Sequence, residues 1–444
     1  MGSPVQQDAD DEGVREGEAK ADAHADAEAA FKATVEQDLR RNYAPYLIHG
    51  MLGQTGFRII QAPTFLPMYI FSLAGENWLV GVARSCQALG MFLTPLLGAS
   101  LIEHRRRVMG MVFATGIMMR LQVLGLALAG FFLGVHANRY AVCLFLGLFG
   151  LFTGMQSVTF SFLMSKLIPV ERRGSLVGFR NALAGLTAAF VAGVGGYMID
   201  AEVLGNGYAS TFLLSFVLTA AGLCMLLIVR EPETPNPKVE VPLRERMRDL
   251  PALVRDDSDY RMYLVARALG VSGRMALPFF ILWAVQRTEL SDTDLGTLTA
   301  IFVLGNTLTN LLWGLLADRR GFRLVLLCAL LIWIASTVVF IFGDSYLAFA
   351  IGYVGIGAGF GGFQMACINL VLEFGKREDL PMRIAVAQSA EQGVGVVAPL
   401  VGGLVAEVYG YGPLFWLTAA VQVLALGVVV FGMRDPRHRE LAVA

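Results

Sequence analysis

Apolar residues run along this chain in long, nearly unbroken stretches, with short polar turns between them. Twelve runs are readable, at roughly 45–72, 78–101, 108–134, 140–165, 176–200, 208–229, 261–285, 295–316, 323–342, 346–373, 383–408 and 412–433. Each approaches or exceeds the ~20 residues an α-helix needs to cross a ~30 Å hydrocarbon layer. The one long interruption, 230–259, is rich in proline and in charges of both signs, and it divides the runs six and six. The pattern predicts an all-α polytopic membrane protein of twelve transmembrane helices.

The halves repeat one another. Tyr43, Tyr46, Leu47, Leu52, Gly53 and Gly56 recur 217 residues later as Tyr260, Tyr263, Leu264, Leu269, Gly270 and Gly273. Gly98 matches Gly314, Gly154 and Gln156 match Gly362 and Gln364, and Gly195-Gly196 matches Gly402-Gly403. Arg230-Glu231-Pro232 matches Arg434-Asp435-Pro436. The matches keep their order while the offset shrinks, as loops of unequal length would cause. Two pseudo-symmetric six-helix halves follow, an architecture that puts a solute site at mid-membrane between them. The expected division is an acidic tail over 1–41, a first half over 42–229, a linker over 230–259, a second half over 260–434 and a short tail over 435–444. The tail at 1–41 lacks an apolar signal-peptide core. It reads as a disordered acidic extension, with 19–39 also suited to a surface helix.

Composition agrees with a membrane protein. The chain has 444 residues, 55% hydrophobic and 16% charged, with mean hydropathy +0.59. Soluble domains carry about a quarter charged residues. A net charge of −1 hides an asymmetry: eleven acids face three bases within residues 1–39. Near the ends of the runs, twenty-five Lys and Arg fall on one side, against Arg139 and Arg287 on the other. The positive-inside rule then puts both termini and the linker in the cytoplasm, expected to be that of a cell whose inner or plasma membrane holds the chain. Cys86, Cys143, Cys224, Cys328 and Cys367 all lie within apolar runs and read as small hydrophobes.

The most specific stretch is Gly314-Leu-Leu-Ala-Asp318-Arg319-Arg320-Gly321-Phe-Arg323, between the eighth and ninth runs. It resembles the Gly-x-x-x-Asp-Arg-x-Gly-x-Arg loop of the major facilitator superfamily of transporters, and the resemblance by span count and repeat extends from about Asn42 to Arg434. It implies a cytoplasmic gate. Gly314 would allow close helix packing, Asp318 would cap a neighbouring helix N-terminus, and Gly321 would make the turn. Arg319, Arg320 and Arg323 would pair acids or lipid phosphate, or simply satisfy the positive-inside rule. The first-half counterpart is degenerate: Gly98 and Arg105, Arg106, Arg107 are kept, but Ile102 stands at the aspartate position with Glu103 one step on. The family's arginine at the start of span four is missing. Its exporter pattern Gly-Pro-x-x-Gly-Gly survives only as Val191-Ala192-x-x-Gly195-Gly196 in span five and Ala398-Pro399-x-x-Gly402-Gly403 in span eleven.

Ionisable groups inside spans are costly and are functional candidates by default. Arg58 lies thirteen residues beyond Pro45, or ~20 Å along a helix, and Arg274 holds nearly the same level in span seven. Glu391 is the one deep acid. Candidate substrate-binding residues are Arg58, Gln61, Arg120, Gln156, Arg274, Gln364 and Gln388. Gln156 and Gln364, at equivalent repeat positions, are expected to face each other across the cavity. Arg84, His49, Arg180 and Arg267 are close enough to span ends to snorkel. Two deep arginines facing one carboxylate predict a net-positive cavity for a small anion held by bidentate Arg58 and Arg274. Glu391 becomes the candidate proton-coupling group, because burial disfavours a charged carboxylate; pairing of Arg58 or Arg274 with Glu391 is the structural alternative.

The expectation is a monomeric secondary transporter working by alternating access, with a small solute, a coupling proton and the bilayer as its partners. No nucleic acid, cofactor or metal is expected. The alternatives are a transporter-like receptor or scaffold, a pore, or a multidrug exporter of amphipathic compounds. ATP drive is disfavoured because no Gly-Lys-Ser/Thr phosphate loop occurs. An enzyme is disfavoured because no span holds a catalytic triad or metal-spaced set.

Overall fold

The computed structural model describes residues 4–102, 105–234, 254–255, 257–374 and 380–433. Glu103, Lys238, Arg244, Arg246, Arg248, Lys376, Arg377 and the tail from Arg434, including Arg437 and Arg439, lie outside the described residues. Every regular element among the described residues is helical.

The first half runs α1 (Pro4–Gln61), α2 (Phe65–Ala74), α3 (Asn77–Leu93), α4 (Pro95–Ile102), α5 (Met109–Phe132), α6 (Val135–Leu167), α7 (Val170–Asp200) and α8 (Gly207–Met225). The second runs α9 (Ser258–Val271), α10 (Phe280–Arg287), α11 (Asp292–Arg320), α12 (Phe322–Phe342), α13 (Tyr346–Leu370), α14 (Leu380–Tyr409) and α15 (Tyr411–Gly427). These make twelve spans, because three are interrupted. Span one is α1 plus α2, broken at Ala62-Pro63-Thr64; span two is α3 plus α4, broken before Pro95. Span seven is α9 and α10 joined by 3₁₀ turns over Ser272–Met275 and Leu277–Phe279. Proline supplies no amide and disfavours helix in the residue before it, which accounts for all three interruptions. Among the described residues ten helical stretches, span seven counted as one, are long and apolar enough to cross a membrane. Spans one and two complete the twelve from their broken pieces.

One expectation of the sequence differs. The backbone of α1 is helical from Pro4 onward, where a disordered acidic tail was expected. The segment is dense in Ala, the residue that loses least on entering a helix, with several Glu among its acids.

Turn chemistry sets several helix ends. Ser291 and Asp294 form a reciprocal capping box at the start of α11, and Asn206 caps α8 by accepting from the Ala209 amide. Gly321 sits between α11 and α12 at φ +86°, a left-handed value costly for any residue with a Cβ. The reversal expected at that glycine is present.

The halves meet along α3 with α14 and α7 with α11. A Cβ placed on Gly196 would lie 2.8 Å from Gly296 Cα, and one on Gly81 2.4 Å from the Pro399 carbonyl oxygen. Both crossings are therefore backbone against backbone, as small residues permit in membranes. They lie at the end of the bundle away from the linker. Among the described residues, the polar contacts between halves fall at mid-depth or at this far end. Arg58 donates to Thr307 at 3.0 Å, and Thr64 and Thr299 share a hydroxyl bond of 2.5 Å. The Asn77 amide donates to Glu407 at 2.6 Å, and Tyr411 donates to the Asn77 side chain at 2.6 Å. The far end is closed by these contacts.

Candidate functional site at the centre of the bundle

Breaks in spans one and seven place functional groups at the middle of the fold. A broken helix exposes backbone groups that must find partners inside the membrane. Arg84 fills one such need: its Nη2 donates to the Ala62 carbonyl oxygen at 3.0 Å, and its Nη1 donates to Gln87 at 3.1 Å. Arg58 occupies the last turn of α1, and Arg274 lies within the 3₁₀ turn of span seven.

Two cavities flank this level. One, of about 200 Å³, lies between the halves and is lined by Gln61, Arg84, Gln87, Arg274, Phe360 and Gln392 among others. The second, of about 430 Å³, is walled by the first half alone, with His49, Gln54, Phe57, Arg120, Gln156 and Arg180 on its surface. Gln61 lines both.

Glu391 is the polar focus of the second half. Its Oε2 accepts from Arg267 Nε at 3.0 Å and Nη2 at 2.5 Å; its Oε1 accepts from Arg274 Nη2 at 2.7 Å and Gln364 Nε2 at 3.1 Å. Arg267 also donates to the Tyr263 hydroxyl at 2.7 Å, which in turn donates to the Cys367 carbonyl oxygen at 2.6 Å. Every donor to Glu391 is thus fixed on span seven or ten, and the carboxylate itself on span eleven. Arg267 and Glu391 are only 3% and 4% exposed, whereas the Arg274 side chain, at 22%, reaches the cavity between the halves.

Several expected residues gather here and others do not. Arg274, Gln364 and Glu391 come together, and pairing of Arg274 with Glu391 is observed. Arg58 does not meet Glu391; it reaches across to Thr307 instead. Arg267 does not snorkel, because its guanidinium has a carboxylate partner in reach. His49 is likewise buried, with its Nδ1 3.0 Å from the Gly222 carbonyl oxygen. Arg120 lies on the wall of the larger cavity, but its Nε and Nη1 serve the carbonyl oxygens of Thr219 and Gly116 at 2.6 and 2.8 Å. Gln156 accepts from Thr115, so it is tied to span three rather than free to face Gln364, which is held by Glu391. Gln388 is exposed and lines neither cavity; Gln392, one turn further from the linker end, does. Arg84, Gln87 and Gln54 were missed. The spacing of Arg84 and Gln87, three apart on one helical face, was the available signal.

The gate loop adopts the expected turn with different partners. Asp318 is exposed and makes no hydrogen bond among the described residues. Arg319 and Arg320 are also exposed, and Gly314 approaches only the Met365 side chain, at 3.7 Å from a Cβ placed on it. Arg323 Nη2 donates to the carbonyl oxygens of Val429 and Val430 at 3.1 and 3.0 Å, rather than pairing an acid. Those carbonyls belong to a π-helical turn over Val428–Gly432, where the wider spacing leaves backbone oxygens available.

Comparison with known proteins agrees with this architecture. The bacterial "Multidrug resistance protein MdtG" from Escherichia coli (strain 55989) is 27% identical over 170 residues, 37% of this chain and 41% of the relative. The match therefore spans less than half of that protein's length. Among solved structures, the nucleoside transporter NupG superposes with a TM-score of 0.70 at 13% identity, covering 87% of this chain and 99% of its own. A D-xylose-proton symporter superposes at 0.66 and 15% identity, covering 88% and 97%. At such identities the likeness is one of fold. The Major Facilitator Superfamily model matches residues 50–283 and again 262–443, one match for each half of the repeat. The chain is an integral, multi-pass membrane protein and belongs to the Major Facilitator Superfamily of transporters.

Proposed function

We propose that the protein carries a small organic anion across the cytoplasmic membrane by alternating access, coupled to a proton through Glu391, with both termini and the linker on the cytoplasmic side. The observation that supports it most is the charge at the centre. Arg58, Arg84, Arg120, Arg180, Arg267 and Arg274 line or adjoin the two cavities; among the described residues no acid lines either one, and Glu391 pairs only with Arg267 and Arg274. Guanidinium groups taken out of water without counter-ions are unfavourable, so an anion entering this space is stabilised from several directions.

Glu391 and the solute compete for the same donor. Arg274 both touches the carboxylate and reaches the cavity, so an anion that draws Arg274 away exposes Glu391 Oε1 to a proton. Arg267 keeps hold of the other oxygen throughout. Coupling then follows from a single exchange of partners, without a second acid.

A multidrug-exporter reading draws on the partial similarity to the protein named MdtG and on the Ala398-Pro399-x-x-Gly402-Gly403 pattern. The excess of arginines favours anions over lipophilic cations. The test is counterflow in liposomes holding the purified protein, with radiolabelled organic acids and with cationic dyes. Saturable exchange of an acid, lost as a pH-driven flux but retained as exchange in Glu391→Gln, supports the proposal. Exchange of cations alone refutes it, and the absence of any exchange favours a scaffold role.

A further inference from the structure

Charge is distributed unevenly between the halves. In the second half, Glu391 answers both Arg267 and Arg274. In the first half, Arg120 and Arg180 line the larger cavity together with His49, and Arg58 lies one residue beyond lining Phe57. Span five is the repeat partner of span eleven, yet it holds no acid between Arg172 and Ile199. Asn181 stands in that region, bonded to the Gln54 amide at 3.0 Å. The hydrogen-bond partners of these first-half cations are all neutral: Asn181 for Arg180, backbone carbonyls for Arg120, and Thr307 and Gln54 for Arg58. Turning the Gln54 amide brings its oxygen to 3.1 Å from Arg180 Nε, again a neutral acceptor.

The walls add a second character. Phe57, Phe160 and Met119 face the same space as Gln156, Ser157 and Ser161. Phe57 already lies beneath the Arg120 guanidinium, 5.5 Å from centroid to carbon, and Phe160 packs against His49 at 5.0 Å. A volume of about 430 Å³ falls in the range of small-molecule sites.

Resting on the anionic-solute reading above, we infer that the solute's charged group is held in this first-half cavity by Arg180 and Arg120, not by a symmetric clamp of Arg58 and Arg274, and that its body is an aromatic or similarly planar one lying between Phe57 and Phe160. Arg180 is the principal ligand, because Arg120 already spends two N–H groups on carbonyls. Arg274, on the wall of the adjoining cavity that Gln61 also lines, is engaged by Glu391 until the solute reaches it and contributes to coupling more than to affinity. Such a site moves as one body with the first half.

The experiment is ligand-dependent thermal unfolding of the purified protein in detergent without added phospholipid. The probes are benzoate, phenyl phosphate, acetate, inorganic phosphate and benzylammonium, with phosphatidylglycerol added in a separate arm. Benzoate or phenyl phosphate is expected to raise the midpoint at lower concentration than acetate or phosphate. Arg180→Gln is expected to raise the concentration needed by at least tenfold, the loss of one charge-assisted bond, and Arg274→Gln by less than threefold. Arg180→Lys, which keeps the cation, reports on the site if Arg180→Gln does not fold, with an expected intermediate loss. Phe57→Leu is expected to narrow the preference of benzoate over acetate. Equal losses in the Arg180 and Arg274 variants, or equal potency of acetate and benzoate, overturn this placement while leaving an anionic solute standing. Stabilisation by phosphatidylglycerol alone also overturns it, by making the cavity a lipid site. Stabilisation by benzylammonium alone, or by none of the probes, removes the anionic reading itself and this inference with it.

Discussion

Removing one partner of the Arg267–Glu391 pair is expected to destabilise the fold strongly, and removing both is expected to restore much of the loss. Breaking a buried ion pair from one side typically costs about 3–5 kcal/mol, because the remaining charge is left uncompensated. Where each variant falls in that range follows from the contacts. Glu391→Gln can keep an acceptor oxygen at the Oε2 position for Arg267, 3.0 and 2.5 Å away. Its amide then opposes Arg274 and Gln364, and the partly exposed Arg274 can swing into the cavity. A cost near the lower end, about 3 kcal/mol, is expected. Glu391→Leu removes both oxygens and strands Arg267 in a site 3% exposed, so its cost approaches about 5 kcal/mol. Arg267→Met combined with Glu391→Leu replaces the pair with apolar side chains and is expected to come within about 1 kcal/mol of the parent, since hydrophobic replacement of a buried pair is often neutral. Equilibrium unfolding in mixed micelles titrated with a denaturing detergent measures the four corners of this cycle. A double variant as unstable as Glu391→Leu, or a Glu391→Leu cost below about 1 kcal/mol, would refute the reasoning.

Other consequences concern the two ends of the bundle. Thr64→Cys with Thr299→Cys replaces hydroxyls 2.5 Å apart across the far seam; mild oxidation is expected to link them and abolish counterflow, with activity returning on reduction. Asp318→Asn is expected to slow transport far more than Glu103→Gln, measured as initial rates in liposomes; equal effects would reduce the loop to a basic turn. Glu231 accepts from the Val108 and Met109 amides at 2.7 and 2.8 Å and from buried Lys166 at 2.5 Å. Glu231→Ala is therefore expected to cost about 3–5 kcal/mol, read as a lower unfolding midpoint, with partial rescue by Lys166→Met.

Much of the fold was written in local pattern. Hydrophobic run lengths gave the spans, and the recurring tyrosines and glycines, Tyr43 and Gly53 against Tyr260 and Gly270, gave the two halves. Gly321 announced its own turn. The acidic segment misled because its charge density suggested disorder, while its alanine content suits a helix. At the centre, depth along a span identified Arg58, Arg274 and Glu391 as unusual but could not say which way each side chain turns. Arg267 and Arg84 lie within reach of an interface by sequence distance to a span end, which says nothing of nearer partners. In three dimensions a carboxylate and a freed carbonyl oxygen lay nearer than water. Gln388 failed for a related reason: it shares a helix with Glu391 but lies a turn closer to the linker end, where neither cavity reaches it.

The contacts at the two ends bear on how easily the halves could rock. At the linker end Asp318 is unbonded among the described residues, and at the far end Thr64–Thr299, Asn77–Glu407 and Asn77–Tyr411 close the seam. A hydrogen bond contributes a net ~0.5–1.5 kcal/mol, so three of them hold the far end shut by only a few kcal/mol. The glycine pairs Gly196–Gly296 and Gly81–Gly403 add close backbone contact but no side chains to disentangle. Engaging Asp318 with a helix N-terminus at the other end would return a similar amount. The two arrangements are then nearly balanced, and a few kcal/mol of differential solute binding suffices to shift them. The first-half cavity and the Arg274–Glu391 exchange lie midway between the ends, where a bound anion can act on that balance. Tipping that balance to one side, by cross-linking Thr64→Cys to Thr299→Cys or by removing the Asp318 contact that would hold the opposite end, should therefore trap one conformation without weakening the fold.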